Sequence, residues 1–265
     1  MSPLLPARRF RAGRRTEAAT ALAVATLLCG CAGGAPLLHP AQVLRPGRVS
    51  VGAGVMGNIG ALDDVKTEGS QEAEQALDDF AVGPGVSPWA AGRVGIVGDN
   101  EAGITYAGRS FRLDFRHAFE VGPLFLSLGA GGSALIPRPL GGDADLGSVY
   151  GGGGDVPVLL GWVSTAELYS VWFGPRGGFD ILRGSALESE VLKGGRTDTF
   201  IPFEGTHGYV GGLLGAKVGF RTFHVALEVD ISYHFANGTF GEASDTEASI
   251  GQLTVSPAGA LILTL

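Results

Sequence analysis

The chain has 265 residues, 19 basic and 26 acidic side chains for a formal net charge of −7, and 45 glycines. The acidic balance excludes the basic footprint of a nucleic-acid binder. The glycines follow no three-residue period and alternate with valine, leucine, isoleucine and phenylalanine throughout, which excludes both a collagen repeat and a disordered linker.

Residues 1–30 differ from the rest. Arg8, Arg9, Arg11, Arg14 and Arg15 precede the apolar run ATALAVATLLCG at 19–30. A basic stretch followed by a short apolar one and small residues reads as a secretory signal, and the run is well short of the ~20 residues that a spanning helix needs. It ends in LCGC, Leu28–Cys31, which resembles the bacterial lipobox. The resemblance implies cleavage between Gly30 and Cys31 and a lipid on Cys31. Cys29 leaves with the signal, so no disulfide is expected. Ala32 follows the cysteine, and by the same resemblance nothing holds the lipoprotein in the inner membrane. Removing the signal leaves 14 basic and 25 acidic residues, a net charge of −11.

Residues 31–47 carry Pro36, Pro40 and Pro46 and no period; they read as a periplasmic tether between lipid and fold. From residue 48 to residue 265 period-two runs follow one another, as strands do. They fall at 48–56, 92–98, 101–108, 109–119, 124–134, 156–164, 169–181, 208–221, 224–236 and 250–265. Between them the connections are short near 99, 121, 166 and 222, and long at about 58–87, 135–155, 182–206 and 237–249. The exception is a short link near Gly108. Tight turns on one rim and long loops on the other predict an all-β, antiparallel up-and-down barrel of about ten strands (8–12) in an outer membrane. An even count puts both chain ends on the periplasmic rim, where a lipid on Cys31 belongs.

The stretch FRLDFR, 111–116, sets Phe111, Leu113 and Phe115 against Arg112, Asp114 and Arg116. Residues 224–236 set Val225, Leu227, Val229, Ile231, Tyr233 and Phe235 against Ala226, Glu228, Asp230, Ser232 and His234. Alternate side chains point to opposite faces. A soluble barrel would turn the phenylalanines in, leaving an exterior of glycine, serine and alanine that suits a solvated strand poorly. A membrane barrel turns the charges in, and an arginine facing mid-membrane lipid would cost ~2–4 kcal/mol. The pattern therefore predicts a polar lumen. Arg93, Arg112, Arg116, Arg176 and Lys217 would there meet Asp114, Asp180, Glu228 and Asp230, with small glycines making room. The mature chain thus resembles small bacterial outer-membrane β-barrel proteins, with Leu265 where the terminal aromatic of that family commonly stands.

No catalytic, cofactor or metal site emerges. GGGGD (151–155) and GAGG (129–132) lack the strand–loop–helix setting and the lysine of a phosphate cradle. His224 and His234 share a face but lie ~33 Å apart on one strand. His117 sits on the lipid-facing parity beside Phe115 and Phe119, a place for a base in a lipid-modifying barrel, yet no serine can be tied to it. The acidic stretch 61–80 holds seven carboxylates against Lys66 and room for a short helix, and reads as a solvated surface. Ser185 and Glu188 form a capping-box pattern that ends at Gly194. The expectation is a lipid-anchored, non-catalytic outer-membrane barrel with a structural or surface-interaction role. Its partners would be outer-membrane lipid and lipopolysaccharide, and the barrel-assembly and lipoprotein-sorting machinery. A narrow passive channel, a lipid-modifying enzyme and a soluble periplasmic barrel holding an apolar ligand are the alternatives.

Overall fold

A computed structural model describes residues 34–63, 77–78, 81–139, 148–164, 166–192, 195–241 and 246–265. The signal, Cys31 and most of the acidic 61–80 stretch lie outside the described residues. Ten strands form one closed barrel: β1 (Val49–Asp63), β2 (Gly85–Ile96), β3 (Asn100–Ala107), β4 (Ser110–Val121), β5 (Leu124–Pro139), β6 (Ser148–Val163), β7 (Tyr169–Leu192), β8 (Gly195–Phe220), β9 (Phe223–Phe240) and β10 (Thr246–Thr264). Each pairs antiparallel with its neighbour in sequence. Closure is between β1 and β10, with Ser50 opposite Thr264 and Ala53 opposite Leu261. Closure leaves no edge strand with unpaired backbone, which a bilayer would penalise heavily.

The exterior is apolar. Along β9 burial alternates without a break to Ala236, with Val225, Leu227, Val229, Ile231, Tyr233 and Phe235 outward and Glu228, Asp230 and His234 inward. On β4, Phe111, Leu113 and Phe115 face out, while Arg112, Asp114 and Arg116 are buried. Aromatic rings gather at both ends of this band: Phe119, Tyr169, Phe220 and Phe223 near the short turns, and Phe111, Tyr150, Phe179 and Phe235 toward the loops. A continuous apolar exterior around a charged interior is the solution for a barrel in lipid. The soluble alternative, with phenylalanines inside, is overturned.

Four expected loops are shorter than their predicted ranges. β1 runs on to Asp63, β5 to Pro139 and β9 to Phe240. Residues 182–206 are largely a hairpin extension of β7 and β8, paired from Leu182–Gly205 out to Leu192–Gly195. The capping box at Ser185 and Glu188 therefore does not start a helix; both residues are in β7. Above the membrane no lipid face imposes alternation, so the period-two signal fades although the ladder continues.

The largest departure is at the N-terminus. Residues 34–44, expected as part of a tether outside the fold, occupy the lumen, and residues 45–47 lie exposed at its short-turn end. Leu37, Leu38, His39 and Ala41 are buried. Trp172 and Trp89 point inward onto this segment, and Gly161 leaves space for Ala41, whose Cβ would lie 2.8 Å from any Cβ added at that glycine. At the loop end Leu77, Ala81 and Val82 pack against Leu182, Phe203, Ala236 and Phe240.

Candidate functional site

The lumen wall carries a chain of alternating charges. Arg116 pairs with Glu101 (2.7 Å), Glu101 with Arg93 (2.8 Å), and Arg93 with Asp114 (2.7 Å). Asp114 pairs with Arg112 (2.8 Å), Arg112 with Asp155 (2.7 Å), and Asp155 with Arg176 (2.7 Å). All seven groups are buried. The strands β2, β3, β4, β6 and β7 each contribute from their inward parity, and the short reach of aspartate and glutamate is met by long guanidinium arms. Glycines clear the path. An added Cβ at Gly131 would fall 2.5 Å from both the Arg112 guanidinium and an Asp155 oxygen, and one at Gly103 would fall 2.9 Å from the Arg93 guanidinium.

This chain has one more cation than anion, and the plug supplies the missing acceptors. At one end Arg116 donates to the carbonyl oxygens of Pro40 and Gln42; at the other Arg176 donates to that of Ala35. Trp89 Nε1 donates to the Pro36 carbonyl at 3.0 Å. The plug's own donors are also matched. Leu44 N–H reaches Glu101 Oε2 (2.8 Å), and Leu37 and Leu38 N–H reach the two oxygens of Glu228 (2.6 and 3.0 Å). Beside these two bonds the backbone turns at Leu38, whose φ is +52°. Such left-handed geometry is unfavourable for leucine, and here it is held by the two hydrogen bonds to Glu228. Trp172 Nε1 donates to Glu228 Oε2 at 2.9 Å and fixes the carboxylate.

Nearer the loops, Asp180 Oδ2 lies 3.1 Å from His207 Nδ1, His207 Nε2 lies 2.9 Å from His234 Nδ1, and His234 Nε2 lies 2.9 Å from Thr254 Oγ1. The histidine rings stack at 5.2 Å. Acid, imidazole and hydroxyl in series resemble a nucleophile relay, but two imidazoles intervene and Thr254 and His207 are wholly buried. A nucleophile that no substrate can approach performs no acyl transfer; the row is a satisfied polar core.

Of the nine charges expected in the lumen, Arg93, Arg112, Asp114, Arg116 and Arg176 lie in the ion chain. Asp180 stands in the histidine row, and Glu228 holds the plug instead of a cation. Asp230 is bound by Ser232 Oγ, and Lys217, at the short-turn end, makes no ion pair among the described residues. Glu101 and Asp155 belong to the chain and were not among the nine. Glu101 is the second residue of β3, just after a turn, and Asp155 closes the glycine run that reads as loop; inward parity of the neighbouring residues is the signal for both. His117 is on the outer face near the short-turn rim, with Nδ1 3.0 Å from Asn100 Oδ1 and its ring edge-on to Phe119. It has interfacial partners and no serine. Among the described residues no three His, Cys, Asp or Glu side chains cluster as metal ligands would.

No protein-family model matches the chain, and no curated protein does. Among solved structures the chain is similar to Ail, the attachment invasion locus protein of Yersinia pestis, at 12% identity over 83% of this chain and 100% of that one, with a TM-score of 0.31. It is similar to Neisserial surface protein A at 10% identity over 82% and 95%, TM-score 0.27. It is similar to the Pseudomonas putida toluene transporter TodX at 7% identity over 84% and 90%, TM-score 0.31.

Proposed function

We propose that this chain is a non-conducting, non-catalytic outer-membrane barrel that works as a structural element or through its long-loop rim. The observation that carries the reading is the filled lumen. A seven-group ion chain lines it, residues 35–44 are bonded into it from Ala35 to Leu44, and Leu77, Ala81 and Val82 pack at its outer end. The apolar exterior and the short turns opposite long loops support the membrane and its polarity. Lipid and lipopolysaccharide then surround the barrel, and barrel-assembly machinery inserts it. Planar-bilayer recording is the test: purified protein should give no steady current, and a stable open conductance in the unmodified protein overturns the reading in favour of a channel.

The lipobox-like LCGC makes a lipid on Cys31 a separate proposal with its own test. Palmitate labelling should disappear in Cys31→Ser; persistent labelling removes it. Gly34 lies beside His234 and Tyr209, and His234 is eleven residues along β9 from Phe223, roughly 28 Å up the barrel at the usual rise and tilt. Three residues of chain span at most about 10 Å. A lipid on Cys31 at the periplasmic rim therefore requires the start of the plug to leave the lumen, and the plugged and periplasmically anchored arrangements are alternatives.

A further inference from the structure

At the short-turn end, below the plug, lies a cavity of about 150 Å³. Its wall is rich in donors and short of acceptors. Arg48, Lys217 and Arg221 line it, and none of them makes an ion pair among the described residues. Three polar groups on the same wall are buried without a hydrogen-bond partner among the described residues: His39 Nε2, Ser170 Oγ and His224 Nδ1. Their residues are 3%, 2% and 5% exposed. The carboxylates in the wall are already engaged. Glu101 takes Arg93, Arg116 and the Leu44 amide, and Glu167 takes Arg45 at 2.9 Å.

A buried polar group without a partner is costly, and three around one cavity, beside three unpaired cations, form an incomplete site. What completes it must offer several acceptor oxygens and negative charge in a small volume. We propose that this vestibule binds a phosphoryl group, with Lys217, Arg221 and Arg48 supplying charge and His224 and Ser170 supplying directed hydrogen bonds. The group could arrive as free inorganic phosphate or as the headgroup of an anionic phospholipid, because the cavity opens where the inner leaflet meets water.

Calorimetric titration of the detergent-solubilised full-length protein with inorganic phosphate, in a chloride buffer of matched ionic strength, tests the site. Saturable binding that weakens about tenfold in Lys217→Gln and in His224→Gln is expected, the size of one lost charge-assisted bond. Arg221→Asn, on an exposed turn whose φ of +56° asparagine tolerates, should weaken it as well and carries little folding risk. If phosphate alone does not bind, but phosphatidylglycerol from mixed vesicles is retained on purification and lost in those variants, the source is the lipid. Binding of neither probe, or binding equal in all three variants while their gel shift on boiling is intact, overturns the site.

Discussion

Glu228 accepts the backbone N–H of Leu37 at 2.6 Å, a bond between residues 191 apart in sequence. It ties β9 to a segment that has no secondary structure of its own. The plug is thus held as a peptide ligand is held, through main-chain groups recognised by side chains of the wall.

Glu228→Ala should loosen that hold. The change removes both plug bonds and the Trp172 partner, three hydrogen bonds worth about 1–3 kcal/mol each when their buried donors are left unmet. The barrel ladder itself is untouched, so folding should survive. Intermittent currents should appear in bilayer recordings where the unmodified protein is silent. A silent Glu228→Ala would mean that the ion chain and the loop-end packing close the lumen without the plug.

The ion chain makes a second case. Asp155 is shared by Arg112 and Arg176, both at 2.7 Å. Asp155→Asn strips the buried Arg176 of its ion-pair partner, leaves Arg112 with Asp114 alone, and should cost about 3–5 kcal/mol in urea unfolding. Adding Arg176→Gln should recover part of that loss, since one stranded cation is removed with its partner. If the two changes are additive in the double-mutant cycle, the pair is not coupled.

Adjacent glycines separate the roles of lumen and lipid faces. Gly131 and Gly132 sit side by side in β5. A Cβ at Gly131 meets Arg112 and Asp155 at 2.5 Å, whereas at Gly132 its nearest neighbour is the Gly153 carbonyl oxygen at 3.9 Å. Gly131→Ala should therefore destabilise by about 1–3 kcal/mol through overpacking. Gly132→Ala should be neutral or slightly stabilising, because the unfolded chain loses freedom and nothing is crowded. Equal effects in unfolding experiments would contradict the assigned faces.

The faces were legible in the sequence wherever both carried side chains that differ. FRLDFR and residues 224–236 display grease and charge in strict alternation, and their orientation follows from the energy of an arginine in lipid. GGGGD hides its parity, because glycine shows no face, and so Asp155 reads as part of a loop and its place between two arginines does not show in the sequence. The plug was invisible for another reason. It contributes mainly carbonyl and amide groups, which every residue has, and its three prolines fit an exposed tether as well as an extended chain. Only Glu228 carried a trace of it: a lone inward acid with no cation on the facing positions Gly215 and Ala258.

The outward face yields the last prediction. Val229 lies near the middle of the β9 apolar row, with Leu227 and Ile231 on either side and Asp230 next to it facing in. Val229→Arg places a charge at mid-height on the lipid side and should cost about 2–4 kcal/mol, read as a lower urea midpoint for the protein folded in lipid vesicles. The same change near the short-turn rim, at Phe223, should cost no more than about 1 kcal/mol, since a long side chain there extends into the interface. A depth-independent penalty would mean that the apolar exterior is covered by protein rather than by lipid.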